Sequence, residues 1–157
     1  MAPSRSAGEP AGAIDYWTLA ELRFQIRRFL RVREAASRAA GIQPQQYMLL
    51  LQVRGLQGRR PATIGALAER MQVAHHSVVE LVDRLAQRRL LLRRRIGVDR
   101  REVMVTLTPA GRRVVRAIAR QSMSELRAEG PALVAALRRL IKERPGRRTG
   151  ARRGESR

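Results

Sequence analysis

His75 and His76 are the only imidazoles in a chain of 157 residues that contains no cysteine. Adjacent residues of a helix diverge by about 100°, so one chain cannot close both rings on one metal ion, and no thiolate is there to complete a ligand set. The five methionines, Met1, Met48, Met71, Met104 and Met123, are scattered and read as an initiator and core fillers rather than a ligand box. No glycine-rich phosphate loop, nucleophile–base pair or paired-carboxylate motif occurs. The chain is therefore expected not to be an enzyme, and to use no cofactor and no metal.

What remains is recognition chemistry, and arginine supplies it. Thirty-three Lys plus Arg stand against 13 Asp plus Glu, for a formal net charge of +20, and nearly all of the cations are guanidinium groups. Guanidinium forks onto phosphate and guanine edges and enters narrow minor grooves. A polyanionic partner follows, either nucleic acid or an anionic membrane surface. An Arg and Ala excess also accompanies GC-rich genomes, so the placement of the arginines carries the inference rather than their number. No 18-residue apolar run occurs and residues 1–12 lack an apolar signal core, so the expected address is the cytoplasm.

Two apolar stripes position the candidate side chains. Thr63 stands as N-cap before Ile64, Leu67, Ala68 and Met71; after a connection at residues 72–74, Val78, Leu81, Val82 and Leu85 repeat the same spacing. Two short helices with buried stripes and a three-residue turn predict a helix-turn-helix. With the second stripe facing the core, His76, Glu80, Asp83 and Gln87 point away, and Ser77 and Arg84 lie on the flank. His75, His76, Ser77 and Glu80 are then expected to meet base edges in a major groove, and Arg84 a phosphate. Glu80 has two readings: an acceptor for cytosine N4, or an intrahelical partner for Arg84 at i+4.

After Leu90 the period changes. Leu92, Arg93, Arg94, Arg95 and Ile96 lead into Gly97-Val98-Asp99, and Val103, Val105 and Leu107 then alternate with Met104 and Thr106, which predicts a β-hairpin. Arg94, Arg95, Arg100 and Arg101 bring positive charge to it. Thr108-Pro109 is an N-cap followed by proline at the first helical position.

The flanks are helical as well. Thr18-Leu-Ala-Glu21 fits a capping box for a long amphipathic helix through Leu19, Leu22, Ile26, Phe29 and Leu30, reaching about Ala40. Tyr16, Trp17, Phe24 and Phe29 give it more apolar bulk than one small lobe can cover, and a dimer surface is expected. Gly41 stops it, and Pro44 opens a helix along Tyr47, Leu50 and Leu51 that Gly55 and Gly58 break. Following Thr108, a helix through Val114, Val115, Ile118, Ser122 and Leu126 is expected to end at Gly130-Pro131, before a last helix along Leu133 to Ile141. The expected organisation is a disordered tail at 1–13, one mainly α domain at 14–142, and a basic disordered tail at 143–157. Within the domain, dimerisation helices at 14–40 and 109–142 flank a winged helix-turn-helix at 44–107.

Helix-turn-helix, a hairpin with an Asp-Arg-Arg tip, and Leu107-Thr108-Pro109-Ala110-Gly111 together resemble the MarR family of transcriptional regulators. The residues concerned are 63–71, Leu81-Val82-Asp83-Arg84-Leu85 and 99–111, and the helix order agrees over about 14–142. The resemblance implies a homodimeric winged-helix protein on a roughly palindromic operator. Such proteins are usually repressors, released by a small, often aromatic or phenolic, effector between the dimerisation helices and the DNA-binding lobe. It also implies that Arg101 is the minor-groove arginine and that Asp99 orients it. Two positions depart from the pattern: the second helix opens on Ala74-His75-His76 where a Ser or Thr cap is common, and Arg89 stands where glycine often ends the helix.

The expectation is thus a sequence-specific regulator with double-stranded DNA, a second copy and a small effector as partners, and no membrane. Its rival is a sequence-independent architectural nucleic-acid-binding protein, which +20 would also suit. A membrane-surface binder using the first helix needs that helix's apolar face exposed, and a shared dimer core removes it.

Overall fold

The computed structural model describes residues 15–97 and 102–142; Asp99, Arg100 and Arg101 lie outside the described residues. Five helices and a hairpin follow one another as α1 Tyr16–Ala39, α2 Pro44–Leu56, α3 Ile64–Met71, α4 His75–Gln87, β1 Leu91–Ile96, β2 Glu102–Leu107 and α5 Pro109–Lys142. The architecture is mainly α with a small β-wing, as the periodicity predicts.

The lobe around α2, α3, α4 and the hairpin holds the core. Leu49, Leu50, Leu67, Val78, Val82 and Leu85 are fully buried, and Leu91 and Val105 from the wing close onto them. Burial at this level is the main stabilising term, about 1.5–3 kcal/mol per large aliphatic side chain. Strands β1 and β2 pair antiparallel from Leu91↔Leu107 to Ile96↔Glu102. The hairpin has a third partner that alternation alone does not reveal: Thr63 bridges to Met104, and the Val105 N–H donates to the Ala62 carbonyl at 2.9 Å. The segment entering α3 is thereby stitched to the wing.

Three helices end the same way. At Gly41, Gln72 and Arg89 the backbone turns to positive φ (70°, 55° and 58°), and the next residue's N–H reaches back to a carbonyl five positions earlier: Ile42 to Ser37, Val73 to Ala68, Leu90 to Leu85. This is the Schellman closure, which favours glycine because the left-handed region crowds a Cβ. Only α1 ends on one. Arg89, already at odds with the family pattern, is held there by the closure.

Two expectations at helix ends are corrected. Thr18 does not cap α1: the helix starts at Tyr16, and the Asp15 carboxylate accepts from the Thr18 N–H at 2.9 Å and also from the Thr18 hydroxyl. Asp15 is thus the N-cap, and Thr18 sits at N3 inside the first turn, where its N–H is one of the open donors that a cap side chain satisfies. Nor does Gly130-Pro131 end a helix, because α5 runs through Pro131 to Lys142. Proline costs the helix one N–H, but α1 lies along both halves of α5 as a splint. Arg28 pairs with Glu129 at 2.7 Å, and near the other end Trp17 and Glu21 face Ala132 and Ala136 across a small cleft.

Candidate nucleic-acid interface and effector cleft

Helix α4 presents the face the stripe predicts. Val78, Leu81, Val82 and Leu85 are buried, while His75, His76, Glu80 and Arg84 are exposed and Ser77 is half-buried. Ala74 offers no side-chain cap, so no side chain closes the first turn. Backbone donors left open there, with the positive end of the helix dipole, favour an approaching phosphate. His75 also lines a cleft with Thr63 and Gly65 from the start of α3 and Arg93 and Glu102 from the wing.

The acidic residues of α4 are both engaged. Arg84 Nη2 lies 3.3 Å from Glu80 Oε2, an exposed i,i+4 pair, and Arg93 on β1 donates to the Asp83 carboxylate. Asp83 is therefore half-buried against the wing rather than presented outward. The pairing fixes one face of the hairpin toward α4. Since side chains alternate along a strand, Arg95 shares that face with Arg93, while Arg94 lies on the other with Met104 opposite it. Arg94 and Arg95 are both exposed, on opposite sides of the wing.

A second site lies between α1, α2 and α5, where residue spacing gave no hint of one. A cleft of about 390 Å³ has apolar walls from Leu30, Met48, Leu51 and Met123, with Arg33, Glu34, Ser37, Gln45, Tyr47 and Ser122 as its polar groups. The Arg33 guanidinium stacks over the Phe29 ring, 3.7 Å from its centroid, and its buried Nε has no hydrogen-bond partner. Burial lowers the Arg33 pKa, opposed by Tyr47 and the Glu125 carboxylate. Burial likewise raises that of Tyr47, opposed by the Ser122 hydroxyl and the Arg33 charge, so the phenol remains a neutral donor. A largely apolar slot with an unfilled cationic donor at one end suits a small organic anion with an apolar body.

On α1 and α5, Trp17, Phe24, Val134, Leu137 and Ile141 are exposed. So many large apolar side chains on two neighbouring helices is unusual for a monomer. Among the described residues no helix is long and apolar enough to cross a membrane.

Comparisons with known proteins agree with this fold. Residues 40–102 match the model of the MarR family. No curated protein sequence matches the chain. Among solved structures, AbsC, a MarR family transcriptional regulator from Streptomyces coelicolor, superposes with a TM-score of 0.67 at 19% identity, over 83% of this chain and 90% of that one. BpsR of Bordetella bronchiseptica, whose DNA binding is regulated by 6-hydroxynicotinic acid, gives 0.58 at 26% identity, over 80% and 98%. A mutant of MepR from Staphylococcus aureus, bound to an oligodeoxyribonucleotide, gives 0.58 at 19% identity, over 83% and 98%. The resemblance read from the sequence is borne out: the family model matches across the helix-turn-helix, and the structural neighbours are MarR family regulators.

Proposed function

We propose that this chain, MarR-type in its fold and in the match over residues 40–102, is a sequence-specific DNA-binding transcriptional regulator. It works in the cytoplasm as a homodimer, represses from a two-fold symmetric operator, and lets go when a small organic anion fills the Arg33 cleft. The observation that carries this reading is α4 itself. Its apolar stripe is fully buried, leaving His75, His76, Glu80 and Arg84 on a free face beside an arginine-bearing wing. That geometry suits a helix laid in a major groove, with Arg94 and Arg95 toward the flanking backbone; Arg100 and Arg101 are assigned to the minor groove from their place in the sequence alone.

The dimer reading rests on the exposed apolar side chains of α1 and α5, and the effector reading on the unpartnered Arg33 Nε in a largely apolar slot. BpsR supplies a ligand class that fits the slot, an aromatic acid. The chain acts on DNA by occupancy and carries out no chemistry on it.

Selecting sites from random DNA and competing them against bulk DNA at rising salt tests the reading. A regulator keeps its preference for one palindromic sequence as its overall affinity falls. A sequence-independent coat shows no preference that survives.

A further inference from the structure

Three helix ends meet at one guanidinium. Arg88, the C-cap of α4, donates through Nη2 to the Gly41 carbonyl at 3.0 Å and through Nη1 to Gln46 Oε1 at 3.2 Å. Gly41 is the positive-φ residue on which α1 closes. Gln46 is buried and caps α2, its Oε1 also accepting the Gln43 N–H at 3.2 Å. Both acceptors are fixed, one as backbone in a closed helix end and the other by burial, so neither follows Arg88 freely. Beside the bridge, the α1–α2 turn and α4 stand apart across an open cleft lined by Glu34, Arg38, Gln43, Leu81 and Arg84.

The buried stripe decides which face α4 turns to the core. The guanidinium adds a directional bond from the last turn of that helix to α1, the helix whose apolar face is exposed for a second copy. In a two-fold dimer, the separation and relative twist of the two α4 helices must match the operator. One extra base pair carries the second half-site about 3.4 Å along the axis and about a tenth of a turn around it. A dimer with a stiff link between α4 and α1 cannot follow that change, and a loosened one can.

We propose that Arg88 is a positioning residue for half-site spacing: by tying α4 to the α1–α2 turn through Gly41 and Gln46, it makes the dimer select one spacer length. This rests on the dimeric, DNA-binding reading above.

The test is selection from a library in which a symmetric half-site is separated by spacers of varied length, run on the full chain. Wild type is expected to favour one spacer about tenfold or more over its neighbours, and Arg88→Met about threefold or less, with the base preference inside each half-site unchanged. Arg88→Lys keeps the charge but reaches only one acceptor, and should fall between; it also serves if the methionine variant folds poorly. Arg38→Met, which removes a guanidinium beside the same cleft but not the bridge, should select as wild type does. A spacer distribution for Arg88→Met and Arg88→Lys as narrow as wild type overturns the proposal, as does equal broadening in Arg38→Met. A merely structural role would weaken binding at every spacer alike, and that result overturns it too. If wild type selects single half-sites without symmetry, the dimeric reading fails, and the role of Arg88 in spacing fails with it.

Discussion

Thr108 Oγ1 accepts the backbone N–H of Gly111 at 3.0 Å while donating to the Arg89 carbonyl at 2.8 Å. With the Thr108 N–H on the Leu90 carbonyl at 3.1 Å, this threonine joins the end of α4, the base of the wing and the start of α5. Gly111 permits the joint, since a Cβ there would sit 2.1 Å from the Leu90 carbonyl oxygen. The Leu-Thr-x-x-Gly segment therefore has a structural role, fastening the wing's base to the start of α5.

Gly111→Ala is expected to destabilise the fold by about 3 kcal/mol, since backbone must move to admit the methyl. That corresponds to a fall in Tm on the order of 10 °C. Thermal melts followed by circular dichroism check it; an unshifted melt would mean that the close approach is not maintained in solution.

Arg89→Gly should have the opposite sign. Relieving a left-handed arginine gains more than the added unfolded-state freedom of glycine costs, for a net of about 0.5–1 kcal/mol. Urea unfolding of the two proteins measures it, and a lower midpoint for the glycine variant would contradict the strain argument.

Glu80→Ala separates the two roles of the carboxylate. Removing it frees Arg84, now paired at 3.3 Å, for a phosphate. Affinity for arbitrary DNA is expected to rise about three- to tenfold and discrimination at one base pair to relax. Operator selection with both proteins provides the check: an unchanged base preference removes Glu80 from base readout and leaves it as the partner of Arg84.

On the wing, Arg101→Ala is expected to cost on the order of 1–3 kcal/mol of operator affinity, while Arg94→Ala and Arg95→Ala weaken all DNA alike and flatten the salt dependence. Fluorescence anisotropy titrations at several salt concentrations distinguish the two patterns. Normal operator binding by Arg101→Ala would withdraw its minor-groove assignment.

Arg33→Met should abolish the response to an organic anion while sparing DNA binding. With 6-hydroxynicotinic acid as probe, the wild-type complex with operator weakens about tenfold or more, and the variant complex less than about twofold. A full response in the variant would place the effector elsewhere.

The lobe was legible because its stripes are buried on one side only, so Val78, Leu81, Val82 and Leu85 repeat at helical spacing and all four are buried. Thr63 was readable as a cap for a similar local reason, and its hydroxyl accepts the Ala66 N–H at 3.2 Å. What escaped the sequence depends on distant partners. Pro131 reads as a stop until α1 is laid beside it, and Asp83 reads as outward until Arg93 folds back from the wing. The Arg33 cleft draws on α1, α2 and α5, whose polar members lie far apart in the chain and carry no shared spacing. The bridge from Arg88 to Gly41 spans 47 positions and is invisible for the same reason.

Trp17, 76% exposed on α1, is the only tryptophan in the chain. Its indole in the single protomer faces water, and a second copy laid over α1 would surround it with hydrocarbon. Were the proposed homodimer to form over this helix, Trp17 would act as a built-in optical gauge of assembly. Its emission should shift to the red on dilution, giving the dissociation constant without any added label.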